Sequence, residues 1–248
     1  MISVTSQRFF TFLLCIFLIG ASNAPARTGV PAGSIEGIDI IETEPADFPR
    51  NLVNAGITHG WTNVIVGIDE HGELYDILVI GYSLPAFAQS AFAALHKWDF
   101  KPARINGKPV TTVIQLNFTF DHANNGVKVV TFQTLDFTHH MGNTESEGVE
   151  KLFRLDELDQ IPVPVHLVSP AYSAEDMRRN AGKKVTVSFY IDESGNVRLP
   201  TLTYADDEEI ARKALAAVAQ WQFEPPAYRG KPVITKASQE FLFTAKDK

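Results

Sequence analysis

Alternating apolar and polar residues predict a pair of strands in the C-terminal half of the chain. Apolar side chains occupy every second position from Val185 to Ile191, a period of two that indicates a half-buried strand. The sequence DESGN at 192–196 follows, and its glycine is free to adopt a positive φ, which predicts a hairpin turn. Val197–Tyr204 then returns as the partner strand.

After this hairpin the period changes to that of a helix. An acidic run, Asp206–Glu209, precedes an apolar stripe, and acidic groups suit the positive end of a helix dipole. The N-terminal half repeats the pattern, with Pro85 at the first helical position, where its missing N–H costs nothing. Helical spacing predicts that both stripes are buried. The stripes are Ile210, Ala214, Val218 and Trp221 in the second half, and Phe87, Ala91, Leu95 and Trp98 in the first.

The chain contains one unit twice. The stretches LHKWDFKPARINGKPV (from Leu95) and VAQWQFEPPAYRGKPV (from Val218) lie 123 positions apart, and the same offset holds from Trp61 to Phe120 without a gap. Alternation in Trp-x-Phe puts both rings on one side of an extended segment, so we interpret this cassette as a packing device. The Asn-Gly and Arg-Gly pairs that follow predict turns into a final strand.

Two copies are too few for a solenoid, so each copy is predicted to form its own core. The fold class is α+β: two tandem small domains, each a three-stranded antiparallel sheet with two helices on one face. The expected divisions are a first domain at 25–120, a connector at 121–160 with an extra strand at Val127–Phe137, and a second domain at 161–248. Val66 and Gly67 replace Phe189 and Tyr190, so we expect the first sheet to pack less well and to act as the structural partner.

The N-terminus has the features of an export signal. Arg8 precedes the apolar run Phe9–Gly20, and small residues at 21–24 predict cleavage after Ala24, making residues 1–24 the signal peptide. The alternative is an uncleaved inner-membrane anchor, although the run is shorter than the roughly 20 residues that span a bilayer. The single cysteine, Cys15, lies inside the run, so the exported chain is expected to have no disulfide.

Composition and motifs favour a protein-binding role over catalysis. A formal net charge of −7 disfavours a nucleic-acid partner. No nucleophile elbow and no phosphate-binding glycine loop are present in the sequence. Adjacent His139 and His140 on a strand would point to opposite faces, which makes them a poor metal pair. We therefore expect no catalytic residue, metal, cofactor or small-molecule substrate.

The repeated unit resembles the C-terminal domain of the TonB energy-transducer family, in two tandem copies at roughly 45–120 and 161–243. The resemblance rests on the order and spacing of its motifs. In the second copy these are Ser169-Pro170-x-Tyr172, Val185-x-Val187-x-Phe189, Trp221-x-Phe223-x-Pro225 and Gly230-Lys231-Pro232-Val233, and in the first Phe48-Pro49, Trp98-x-Phe100-x-Pro102 and Gly107-Lys108-Pro109-Val110.

The resemblance implies a non-enzymatic periplasmic module that binds extended protein segments by strand addition. In the family, the bound segment is the TonB box of outer-membrane receptors, which docks beside the last strand, because an edge strand leaves N–H and C=O groups unpaired. The alternative is that these edges bind nothing, and that the charged residues Lys236 and Glu240 only prevent unwanted pairing with other strands. The corresponding residues here are Ile234, Lys236, Ser238, Glu240 and Leu242 in the second copy, and Thr111, Val113, Gln115, Asn117 and Thr119 in the first.

The chain departs from a family transducer in what precedes the first copy. Only Pro25–Glu44 stands there, which at about 3.5 Å per residue reaches roughly 70 Å, too short to cross the periplasm. The chain is therefore not expected to transmit force from an inner-membrane motor. The partner that the resemblance implies is a protein or peptide of the cell envelope. Two alternatives stay open: an energy transducer for TonB-dependent transport with an uncleaved N-terminal anchor, or a structural module that self-associates, for example as a homodimer.

Overall fold

The fold is described from a computed structural model that covers residues 35–123, 126–132 and 148–243. The predicted signal peptide and His139-His140 lie outside the described residues. The first repeat and the strand after it contain β1 (Ile35–Glu36), β2 (Asp39–Glu42), α1 (Arg50–Asn54), β3 (His59–Ile68), β4 (Leu74–Tyr82), α2 (Pro85–Leu95), β5 (Asp99–Lys101), β6 (Ala103–Ile105), β7 (Lys108–Val110), β8 (Thr112–Asp121) and β9 (Gly126–Phe132).

The second repeat has the same order of helices and long strands. Two short strands precede it: β10 (Val149–Glu150) and β11 (Leu152–Phe153). The repeat itself contains β12 (Pro164–His166), α3 (Ala174–Arg179), β13 (Lys184–Ile191), β14 (Val197–Ala205), α4 (Glu208–Val218), β15 (Gln222–Phe223), β16 (Ala227–Tyr228), β17 (Lys231–Pro232) and β18 (Ile234–Leu242).

Each repeat is an antiparallel three-stranded sheet with two helices on one face, which confirms the predicted α+β class. The predicted hairpin at 192–196 is present, with Gly195 at a φ of 85°. The connector enlarges both sheets: the first has the order β10-β4-β3-β8-β9 and the second β11-β18-β13-β14. In the connector, where an extra strand is predicted at Val127–Phe137, the described residues form β9 at Gly126–Phe132.

The helix-facing side of each sheet holds a separate core. In the first, Phe87, Ala91 and Leu95 pack on Val64 and Val66, all fully or nearly fully buried. In the second, the predicted stripe on α4 packs on the alternating apolar residues of β13. The Trp and Phe of both cassettes are buried in these cores, so they serve packing. The equivalent rings are Trp98 and Phe100, and Trp221 and Phe223.

The opposite faces of the two sheets contact each other. Ile65, Leu78 and Ile80 of the first repeat form one cluster with Tyr190, Leu199 and Ile234 of the second. The prediction of a loosely packed first sheet is wrong, because every residue from Trp61 to Ile68 is buried. The missing side chain of Gly67 leaves the space that the Tyr75 ring and the Leu199 side chain occupy.

Polar contacts reinforce this interface. The guanidinium of Arg198 donates to both carboxylate oxygens of Asp76, at 2.9 Å from Nε, and to the carbonyl of Ile77 at 3.2 Å. The third guanidinium nitrogen, Nη1, lies 3.5 Å from the Asp192 carboxylate. Because Arg198 and Asp76 belong to different repeats, this bidentate pair fixes one sheet on the other.

A short segment, here called the clasp (Gly148–Phe153), joins the two sheets at one edge. β10 pairs antiparallel with β4, and β11 pairs parallel with β18. At the centre of the clasp, the N–H of Lys151 donates to Ile80 in the first sheet at 2.9 Å, and its carbonyl accepts from Ile234 in the second at 2.7 Å. The clasp is therefore hydrogen-bonded to both repeats.

Candidate functional site

The last strand of the second repeat has one side that is only partly covered. Along one side of β18, all eight residues of β13 pair in antiparallel register, from Lys184 opposite Leu242 to Ile191 opposite Thr235. Along the other side, β11 pairs only with Ile234 and Thr235. Within the described residues no strand pairs with the remainder of that side. We call Ser238–Leu242 the open edge.

The direction of the backbone groups on the open edge follows from bonds at both ends of β18. The N–H of Ile234 donates outward to the clasp, whereas the N–H of Phe243 donates inward to Lys183 at 3.0 Å. Peptide groups alternate in direction along an antiparallel strand. The N–H groups of Ser238, Glu240 and Leu242 therefore point outward, where no described strand accepts from them.

The outer face of the open edge carries two polar side chains and one leucine. Ser238, Glu240 and Leu242 are exposed, and the Leu242 side chain retains 56% of its exposure. The Glu240 carboxylate lies 3.3 Å from the ammonium of Lys184 on the neighbouring strand, as a cross-strand ion pair. Opposite-charge pairs of this kind stabilise the register of a sheet.

One buried polar side chain bends over the open edge. Gln239 is 6% exposed and lies on the core side of β18, yet its Nε2 donates to the carbonyl oxygen of Glu240 at 2.7 Å. That carbonyl is one of the outward groups. Gln239 thus satisfies one acceptor that an incoming strand would use, a role that no pattern in the sequence indicates.

The corresponding strand of the first repeat is not an edge. β8 pairs with β3 on one side and with β9 on the other, from Gln115 opposite Phe132 to Asp121 opposite Gly126. The expectation of an open edge there is wrong for Gln115, Asn117 and Thr119, because the connector folds back as β9 and bonds to them. Thr111 precedes β8, and Val113 lies within it, packed against the contact between the repeats.

A cluster of charged and polar groups in the second repeat lies at the helices and not at the open edge. The Lys213 ammonium donates to the Asp176 carboxylate at 2.7 Å. The backbone N–H and the hydroxyl of Ser173 each donate to the same carboxylate at 2.8 Å. These bonds hold the pKa of Asp176 well below its ordinary value. Asp176 and Ser173 form a capping box for α3, so this cluster is structural.

At the contact between the repeats, burial raises the pKa of the Tyr75 hydroxyl to about 12.

The described residues contain no group of three or more side chains that could hold a metal ion. No helix in the described ranges is long and apolar enough to cross a bilayer.

Comparison with known proteins agrees with the repeated fold. The family model for the Gram-negative bacterial TonB protein C-terminal matches residues 44–122 and again 168–245, which is more than half of the chain. The chain belongs to the TonB C-terminal family. It carries two tandem TonB C-terminal domains, as the repeated motifs predict, and this membership makes it a TonB-related protein of the cell envelope with a role in protein interaction.

A solved structure is also similar to part of the chain. The solution NMR structure of the Pseudomonas aeruginosa TonB CTD is 25% identical, covers 39% of this chain and 96% of its own chain, and superposes with a TM-score of 0.32. A search of curated protein sequences gave no match.

Proposed function

We propose that this TonB C-terminal protein binds extended segments of other envelope proteins by strand addition at the open edge. The observation that carries the proposal is the row of outward N–H groups at Ser238, Glu240 and Leu242. An added strand would satisfy these donors at a spacing of two residues, as strand addition requires. Binding needs no catalytic group, in keeping with a non-enzymatic role.

The extent of the open edge limits the bound segment. β11 occupies the edge opposite Ile234 and Thr235, so an incoming strand has to start beyond that point. Five residues, Ser238–Leu242, then span about 17 Å. The first repeat acts as the structural partner in this proposal, since β9 covers β8 from Gln115 to Asp121 and the clasp ties the first sheet to the second.

The location we propose is the periplasm, after export and cleavage behind Ala24. The basic Arg8, the apolar run Phe9–Gly20 and the small residues before Ala24 support this. N-terminal sequencing of the protein from cells checks it: a mature end at Pro25 is expected, and an intact N-terminus would instead favour the anchored transducer.

Two pairs of substitutions test strand addition. Ser238→Pro and Glu240→Pro each remove an outward N–H and leave the bonds to β13 in place, whereas Ser238→Ala and Glu240→Ala keep the N–H. The probe is a synthetic peptide with the TonB-box segment of an outer-membrane receptor, followed by calorimetry and by hydrogen exchange. Each lost bond is worth about 0.5–1.5 kcal/mol, and the proline ring also blocks close approach, so we expect at least about tenfold weaker binding for each proline variant.

The alanine variants are expected to bind like the unmodified protein, with slower exchange of the amides at 238–242 on binding. Equal binding by the proline and alanine variants would refute strand addition at this edge. If a proline variant fails to fold, peptides N-methylated at alternate positions test the same bonds from the other side. Slow exchange at 238–242 in a concentration-dependent dimer, unchanged by any peptide, would instead assign the edge to self-association.

A further inference from the structure

A row of exposed apolar side chains precedes α3, within and on either side of β12, which pairs with β15 as a two-stranded ribbon. Within the described residues nine large apolar side chains are exposed, and four of them fall in this seven-residue stretch. Such concentration, as opposed to scattered single residues, is typical of an interaction site. We call these four the apolar row: Ile161, Val163, Val165 and Leu167, with 40%, 50%, 65% and 45% of their exposure retained.

The pairing of the ribbon shows which other groups share the face of the apolar row. Pro164 pairs with Phe223, which is buried, so the residues before Pro164 and after Phe223 point to the exposed face, and beyond a register shift His166 pairs with the exposed Gln222. The exposed Glu224 is one of these, and its N–H donates to the carbonyl of Val163 at 2.8 Å. No described side chain forms an ion pair with the Glu224 carboxylate. The exposed face therefore combines apolar groups with one uncompensated negative charge.

The first repeat contains the same ribbon with a different surface. Ile40 pairs with Phe100 there, and the indole of Trp98 donates to the carbonyl of Glu44, as that of Trp221 donates to Val168. These contacts align the two ribbons residue by residue. The positions equivalent to the apolar row, all of them exposed, are Gly37, Asp39, Ile41 and Thr43.

The residues that face each other across the ribbon also differ between the two repeats, being charged on both strands in the first and apolar on one strand in the second. In the first repeat Asp39 lies opposite Lys101, a pair of opposite charges, whereas the second repeat has Val163 beside Glu224. Only Ile41 of the four equivalent residues in the first copy is a large apolar one, so the backbone of the ribbon does not require an apolar row. The apolar surface of the second copy is therefore a property of that copy and not of the fold.

The free side of β12 is unsuited to strand addition. The carbonyl of Val163 points towards β15, so the backbone of Pro162 and Pro164 points away from it. Proline has no N–H, and proline on an edge strand prevents pairing with another strand. A partner on this side of the ribbon therefore has to bind through side chains and not through strand pairing.

We propose that the apolar row is a second docking surface, for an envelope protein that presents apolar side chains beside a lysine or arginine. Glu224 favours a basic partner, because a cation placed next to it would supply the opposite charge that Lys101 places across the ribbon from Asp39 in the first repeat. The same charge disfavours an anionic lipid surface. A two-fold contact between two copies of this chain would bring two Glu224 carboxylates to one interface, so the occupant is a different protein.

The test uses the full-length protein and two stapled amphipathic helices as probes. Each helix carries leucines on one face, with a lysine at the edge of that face in one probe and a glutamate in the other. In NMR titrations the lysine helix is expected to shift the amides of Ile161, Val163, 165–167 and 222–224, and to bind about tenfold more tightly than the glutamate helix. Glu224→Lys is expected to reverse this order.

Two further variants separate the apolar contact from the charge. Val163→Asp combined with Glu224→Lys installs the pair of the first repeat, and is expected to abolish binding with the thermal unfolding midpoint little changed. Ile41→Ser, at the exposed position of the first repeat equivalent to Val165, is expected to leave binding unaltered. If the double variant does not fold, Val165→Thr takes its place, with a loss of binding again expected.

Several results would overturn the proposal. These are equal affinity for the two helices, amide shifts confined to the open edge, a concentration-dependent dimer that protects 161–167 from exchange, and binding of phosphatidylglycerol vesicles that Val163→Asp removes. Equal affinity would exclude recognition of the charge, and amide shifts confined to the open edge would exclude the apolar row as the binding surface. A dimer or vesicle binding would show that the occupant is a second copy of the chain or a lipid surface, and not a different protein.

Discussion

Leu199 holds the contact between the two repeats at a backbone conformation that leucine rarely adopts. Its φ is 50° and its side chain is 1% exposed, in the cluster shared by both sheets. It lies where β14 shifts register against β13, between Arg198 and Thr201. We predict that replacing Leu199 by glycine costs no more stability than replacing it by alanine, unlike the order at ordinary buried strand positions.

The expected magnitudes follow from two opposing terms. Leu199→Ala removes buried methyl groups and costs about 2–5 kcal/mol of unfolding free energy. At an ordinary strand position, glycine loses roughly 0.5–1 kcal/mol more for backbone freedom and about 0.8 kcal/mol for the last methyl group. At positive φ, alanine bears a cost of about 1–2 kcal/mol that glycine does not. These terms cancel to within about 1 kcal/mol, so Leu199→Gly and Leu199→Ala should be nearly equal.

Leu78 supplies the matched control, because it is 4% exposed in the same cluster and is not among the positive-φ residues. Urea unfolding of all four variants measures the differences. We expect Leu78→Gly to be less stable than Leu78→Ala by about 1.5 kcal/mol. The reasoning fails if the glycine and alanine variants at Leu199 differ by the same margin and in the same direction.

Three further predictions concern polar contacts. Arg198→Lys is expected to lower the unfolding free energy by about 1–3 kcal/mol, because an ammonium cannot form the bidentate bond to Asp76; urea denaturation measures it. Lys213→Met is expected to destabilise the protein most at neutral pH. The folded-state pKa of Asp176 is lowered, so the stability from this pair is present above about pH 4 and is lost as the pH falls through the lowered pKa. Gln239→Ala is expected to strengthen peptide binding about two- to tenfold by calorimetry, because the outward carbonyl that Gln239 covers becomes available.

Each of these has an outcome that would contradict it. For Arg198, a lysine variant as stable as the unmodified protein would mean that the bidentate bond does not hold the interface. For Lys213, the control is Arg212→Met, because Arg212 lies 3.6 Å from Glu208 and both side chains are exposed. If the stability of the two variants depends on pH in the same way, Asp176 has no special role. For Gln239, unchanged or weaker peptide binding would show that its amide does not compete.

The elements within each repeat could be predicted because their signals are local. Alternation from Val185 to Ile191, helical spacing from Ile210 to Val218 and the turn glycine at 195 each specify one element without reference to the rest of the chain. The constant offset then supports every assignment twice. A motif set in the order of the TonB C-terminal family indicated the relation of the elements to one another.

The tertiary use of edges could not be predicted in the same way. Whether β8 or β18 is left open depends on where the connector folds, and the clasp is only a few residues long, too short for a periodic signal. The contact between the sheets is nevertheless indicated by the sequence. Val64-Ile65-Val66 and Leu78-Val79-Ile80 are continuous apolar runs, typical of strands buried on both faces, and they could have predicted a second covered face.

The position of Lys151 has a mechanical consequence. Its backbone bonds both sheets, while its ammonium lies 2.8 Å from Glu193 of the second repeat and 5.5 Å from the ring centre of Tyr82 in the first. Tension applied along β18 by a bound protein would load its bonds to β13 in shear, all at once, and would pass into the neighbouring sheet through the clasp as well as through the Arg198–Asp76 pair and the shared apolar cluster. The duplicated chain would then resist extension as one unit, in which the backbone of Lys151 is hydrogen-bonded to both sheets.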